Sequence, residues 1–152
     1  MQQYKEYVKK AQERIKNLPI KYAFSDKQFV QVMEEFGLNP DTDKDKIIRI
    51  NGGGIIKKVD LPKVKEAVRL NRKDFDKEIA ADTTGEGFIF QMFYTELNGH
   101  EYNYTCDPTE TLDALGMSAQ MIAQNPALRK GFNLASRKIL GKGAPVIRAK
   151  AV

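Results

Sequence analysis

The chain has 152 residues, 41% hydrophobic and 30% charged, a composition suited to one globular domain with a sizeable core. No apolar run approaches the ~20 residues of a membrane span, and the N-terminus lacks the apolar core of a signal peptide. The single cysteine, Cys106, excludes an internal disulfide and a cysteine-rich zinc site, so the expected location is cytoplasmic. The net charge of +5 is uneven: residues 1–128 hold 18 Lys and Arg against all 20 Asp and Glu, and seven basic residues follow from Arg129 onward with no acid.

Residues 3–18 read as an amphipathic helix with Tyr4, Val8, Ala11, Ile15 and Leu18 on one stripe, stopped by Pro19. Ser25 can cap a second helix, with Gln28 completing a capping box, apolar Phe29, Val32, Met33 and Phe36 along it, and Gly37 as its stop. The acidic residues of Asn39–Asp45 alternate like the start of a calcium loop. Lys46 and Gly52 stand where that loop needs Gly and Glu, so a solvated loop is expected.

Ile47–Ile50 and Ile55–Lys58 read as a short hairpin around Asn51-Gly52-Gly53-Gly54. The glycine run precedes strand rather than helix, so it is not a phosphate-binding P-loop. It reads as a bend requiring positive φ, and as a mobile loop of the kind that contacts partners. Asp60 and Pro62 open a long helix ending near Ala81, with Leu61, Val64, Val68, Phe75 and Ile79 as its buried stripe.

The aromatic, β-branched run Gly87–Cys106 surrounds Asn98-Gly99, the dipeptide preferred in a two-residue type I′ turn, and predicts a second hairpin. In that register Leu97 faces His100, Thr95 faces Tyr102, Phe93 faces Tyr104, and Glu96 faces Glu101. Like charges in opposition read either as solvated carboxylates at a sheet end or as a partner-binding acidic site of Glu96 and Glu101 with His100 beside it. Tyr94, Tyr102 and Tyr104 read as core or as base-stacking rings.

Beyond the hairpin, Asp107-Pro108 starts a helix from Thr109 to Leu115 closed by Gly116, and Ser118 caps another over Ala119–Gln124. The pair resembles a helix-turn-helix, but Pro126 cuts the would-be recognition helix to about two turns. Asn125-Pro126 opens the last helix, with Leu128, Phe132, Ala135 and Ile139 inward. Residues 141–152 are expected to be a disordered basic tail. Arg129, Lys130, Arg137, Lys138, Lys142, Arg148 and Lys150 together form a candidate nucleic-acid-binding set, whose phosphate contacts would be salt-dependent.

The expected fold is a single α+β domain over residues 1–140, with helices packed around two antiparallel hairpins and a helical C-terminal third. Its expected core includes Val8, Ile15, Phe29, Met33, Val64, Val68, Ile89, Phe93, Tyr104, Leu115 and Phe132. No nucleophile motif accompanies His100 or Cys106, and Glu96, Glu101 and Asp107 are carboxylates without an evident pocket. An enzyme, a cofactor and a metal are therefore not expected.

The run Tyr94-Thr95-Glu96-Leu97-Asn98-Gly99-His100-Glu101-Tyr102, then Thr111-Leu112-Asp113-Ala114-Leu115-Gly116, resembles a family of short uncharacterised proteins encoded on phages and plasmids of Gram-positive bacteria. The Gly52–Lys58 turn is similar as well. The resemblance implies a non-enzymatic protein that binds a host protein or nucleoprotein complex, including CRISPR and other defence complexes. The alternative from the residues themselves is a small DNA- or RNA-binding accessory protein using the basic C-terminal helix and tail.

Overall fold

The computed structural model describes residues 3–149, which form an α+β arrangement of two compact units. Within the described residues, one unit comprises residues 10–72 and the other residues 3–9 with 73–149, so the unit boundaries fall inside helices α1 (Tyr4–Lys16) and α3 (Leu61–Ala81).

The strand unit holds a three-stranded antiparallel sheet of β1 (Ile20–Tyr22), β2 (Ile47–Ile50) and β3 (Gly54–Lys57), in the order β1-β3-β2. The expected Ile47–Lys58 hairpin is present, with Ile48 opposite Ile56 and Arg49 opposite Ile55. Helix α2 (Asp26–Glu35) begins at Ser25, whose hydroxyl accepts the Gln28 N–H at 3.2 Å, while the Gln28 side chain accepts the Phe24 N–H at 2.6 Å. The Ser25 half of the expected capping box is present, but Gln28 reaches one residue further back, to the Phe24 N–H and not to that of Ser25 itself. Val32, Met33, Ile47 and Ile55 form the buried core of this unit, with Phe29, Phe36 and Leu38 packed against it. Arg14 donates to the Asn71 side-chain carbonyl at 2.5 Å, and the Asn71 amide donates to the Ala11 carbonyl, tying α1 to α3 within the unit.

The helical unit corrects the second predicted hairpin. Phe88–Gly99 is helix α4 and Tyr102–Thr105 is the single turn α5, with no strand in the aromatic run. The apolar residues there also satisfy a helical period: Phe88, Ile89, Met92, Phe93 and Leu97 are all buried. Asn98-Gly99 closes a helix instead of turning a hairpin. The Asn98 amide donates to the Tyr94 carbonyl, the His100 N–H donates to that of Glu96, and Glu101 takes the left-handed conformation at φ 58°. Aromatic strand propensity yields here because burial on several sides suits a core helix equally well.

Helices α6 (Thr109–Leu115), α7 (Ala119–Gln124) and α8 (Pro126–Leu140) follow as expected, and α8 packs along α4. Asp107 accepts both the N–H and the hydroxyl of Thr109, which holds its carboxyl below the usual range. The core joins α4 residues to Tyr4, Phe75, Tyr102, Leu112, Ile122, Leu128, Phe132 and Ala135. Four expected core residues lie outside both clusters: Val68 is 55% exposed and Tyr104 82%, and Ile15 and Val64 are half-buried. Of the tail expected to be disordered, residues 150–152 lie outside the described residues, and the backbone at Pro145 and Ile147 is hydrogen-bonded to α8. Asn133 exchanges two 2.8 Å hydrogen bonds with the Ile147 backbone, and Ser136 donates to the Pro145 carbonyl.

The start of α4 depends on Asp82, which is 3% exposed. Gly87 at the cap position has no side chain to offer, and Asp82 reaches forward in its place. One carboxylate oxygen accepts the Gly85 N–H and the Thr84 hydroxyl; the other accepts the Gly87 and Ile89 N–H groups at 3.1 and 2.9 Å. Free amides at a helix start stabilise a carboxylate there. The turn also lies against α8: a Cβ on Gly85 would come within 2.0 Å of the Ala127 carbonyl oxygen, and φ there is +79°. Asp82→Ala should therefore cost about 2–3 kcal/mol of unfolding free energy in denaturant titrations, because it orphans buried donors.

Tyr4 is buried in the same core and donates to the Glu96 carboxylate at 2.5 Å. Burial, followed by the Glu96 hydrogen bond and charge, pushes its phenol well above the ordinary tyrosine range. The unfolded phenol ionises near pH ~10 while the folded one stays protonated, so this contribution is intact below pH ~10 and is lost as pH rises further. Melts followed by circular dichroism at pH 9 and 11 should show that loss, and Tyr4→Phe should flatten the tyrosine part of it.

Candidate functional site

The strand unit contains an open hollow of about 300 Å³ lined by residues 23–26, Phe29, Arg49, Ile50 and residues 53–55. Three local features build it. The start of α2 supplies Ser25 and Asp26, strand β2 supplies Arg49, and the glycine turn closes the end. Arg49 shares its strand face with Ile47 and with its partner Ile55, both in the α2-facing core. At the open end of that face its guanidinium lies 4.6 Å from the centre of the Phe29 ring. Arg49 makes no ion pair among the described residues, so its planar fork of donors remains free for a ligand.

Phe24 forms the opposite wall. It precedes the helix cap while Phe29 occupies the fourth helical position, the two places whose side chains normally staple together. Here the Phe24 ring rests on the glycine turn instead: a Cβ on Gly53 would stand 2.8 Å from it. Gly53 has φ +81° and no side chain, and both properties permit this seat. The ring is 76% exposed and Tyr22, on the adjoining strand, is 51% exposed. Aromatic and arginine side chains are the residue types enriched at protein interfaces. The unit also holds 14 Lys and Arg against nine Asp and Glu, whereas the helical unit holds 11 of each. The formal excess of positive charge therefore lies wholly in the strand unit.

The sequence-predicted partner site does not assemble as expected. Glu96 does not oppose Glu101: it sits on α4 with its carboxylate held by Tyr4. His100 Nδ1 meets the Glu96 backbone carbonyl at 2.8 Å, and Glu101 lies exposed in the following turn. Among the described residues no group of three His, Cys, Asp or Glu is placed to hold a metal ion, and no helix is long and apolar enough to cross a membrane.

The basic set is partly engaged. Arg129 donates to the Ala123 carbonyl at 2.6 Å, Lys130 pairs with Glu86 at 2.9 Å, and Lys138 lies 4.7 and 5.4 Å from the Tyr94 and Phe90 ring centres. Arg137, Lys142 and Arg148 are exposed, and Lys150 lies outside the described residues. Of the candidate stacking tyrosines, Tyr102 is core, its hydroxyl 2.9 Å from that of Ser136, and Tyr94 stacks on Phe90.

Sequence reasoning read the glycine turn as a hairpin bend whose glycines could leave it mobile, and Ser25 and Gln28 as a capping pair. It missed Phe24, Tyr22 and Arg49. The available signal was Phe24 itself, a large aromatic just outside the apolar period of α2.

The chain matches the model of a family of unknown function, DUF7659, over residues 3–138. It belongs to that family. No curated protein and no solved structure matches it.

Because Phe24 and Arg49 are exposed, Phe24→Ala and Arg49→Gln should each change stability by less than about 1 kcal/mol, the scale of an exposed cation–π contact. Thermal melts of the two variants should overlay closely on the parent.

Proposed function

We propose that this chain is a non-enzymatic binding protein that acts on a protein or nucleoprotein complex. The observation that carries the reading is the hollow walled by exposed Phe24 and unpaired Arg49 on the unit with the positive charge excess. Aromatic and arginine side chains supply most of the binding free energy at interfaces, and here Phe24 is exposed and Arg49 makes no ion pair among the described residues. The sequence resemblance adds the biological setting: a phage- or plasmid-encoded inhibitor in the host cytoplasm, directed at a defence complex such as CRISPR. The second reading, direct nucleic-acid binding by the C-terminal basic residues, draws on exposed Arg137, Lys142 and Arg148. It has less support, because Arg129 and Lys130 already have hydrogen-bond and ion-pair partners within the chain and the unit that carries them is formally neutral.

Photocrosslinking tests the two readings together. With p-benzoylphenylalanine at Tyr22 and expression in the producing host, one dominant protein adduct is expected. It should fall at least tenfold when Phe24→Ala and Arg49→Glu are combined, and persist when Arg137, Lys142 and Arg148 are changed to Glu. An adduct indifferent to Phe24 and Arg49, or none, sinks the docking reading. An adduct abolished by the C-terminal changes would favour the nucleic-acid reading.

A further inference from the structure

We propose that the hollow receives an acidic segment of a partner protein, with a carboxylate on Arg49 and a neighbouring apolar side chain on Phe24. This rests on the docking reading above and names the chemistry of the partner.

The argument starts from the charges that face the hollow. Arg49 is its only cation and Asp26, at the first position of α2, its only anion. One guanidinium presents a planar pair of donors matched to one carboxylate. A phosphodiester strand needs a row of cations along its backbone. That row is missing here, since the lining adds Asp26 and otherwise contributes Ala, Phe, Ser, Gly and Ile. Several other cations of the unit are tied up: Lys21 with Glu35, Lys46 with Asp43, Lys57 and Lys63 with Asp60, and Arg69 with Glu66.

The geometry favours a side chain over a free ion. Phe29 backs the guanidinium on one face, which orients its donors before any ligand arrives. Phe24 rests on Gly53 and leaves most of its ring open. An apolar residue of the partner can cover that ring while an adjacent Asp or Glu reaches Arg49, and the positive excess of the unit favours approach by an acidic surface.

The test is a titration of the isotope-labelled full chain, followed by amide nuclear magnetic resonance at about 150 mM salt, an ionic strength that screens long-range attraction. The probes are acetyl-Glu-Phe-Glu-Leu-amide, its Gln-Phe-Gln-Leu counterpart and a decathymidylate oligonucleotide. The acidic peptide should shift amides within residues 22–29 and 49–55, and bind at least about threefold more tightly than the Gln peptide, the scale of one exposed ion pair. Arg49→Gln should abolish that preference, Arg49→Lys should retain part of it, and Phe24→Ala should weaken both peptides alike. Equal binding of the two peptides, or no shift in these segments with either, overturns the proposal. So does a stronger response of the same amides to decathymidylate. Crosslinking at Tyr22 reports on docking whatever the partner's charge, so it separates loss of this inference from loss of the docking reading.

Discussion

The helical unit depends on one buried carboxylate. Asp82 gathers the amides of Gly85, Gly87 and Ile89, and so converts a turn with no cap of its own into a fixed start for α4. Four hydrogen bonds replace the water that burial removes, which is the condition for keeping a polar group inside. Once that start is set, the phase of α4 follows, and with it which aromatics face α8. Close approach at Gly85 and Gly131 then brings the turn onto α8 with no side chain between them.

The same principle operates with the opposite consequence in the strand unit. Glycine at position 53 again lets something approach the backbone, but what approaches is an aromatic ring whose outer face stays in water. Leaving a phenylalanine so exposed forfeits burial worth roughly 1.5–3 kcal/mol, which a solitary fold would recover by closing the staple onto Phe29. The docking role we propose would give the ring a reason to stay open, and would use Arg49, which is supported by Phe29 and makes no ion pair among the described residues.

The C-terminal third shows how charge in sequence differs from charge in space. Seven basic residues without an acid suggest a cationic arm. In the folded chain, Glu86 from the start of α4 meets Lys130, aromatic rings of α4 accept Lys138, and Asn133 and Ser136 hold the segment around Pro145 and Ile147 against α8. Acidic residues distant in sequence bring that unit to neutrality, and the surplus lies among residues 10–72.

Sequence alone determined the elements whose signals are local. Ser25 with Gln28, Asp107 with Thr109 and Asn125 with Ala127 and Leu128 mark helix starts through contacts within three residues, and the glycine turn between isoleucine runs marks the 47–57 hairpin. The aromatic run was ambiguous on the same terms, since Phe88–Leu97 fits a buried helix as well as a strand and Asn98-Gly99 can end either. Tertiary structure decided it, because the packing of α8 on α4 exists only once the chain has folded back, while the Asp82 cap, reaching up to seven residues ahead, lies outside the usual capping spacing. The hollow was hidden because its walls, too, meet only in the folded chain. Phe24, Arg49 and Gly53 come from a helix start, a strand and a turn, and no local pattern reveals that one ring will rest on glycine while another supports an arginine.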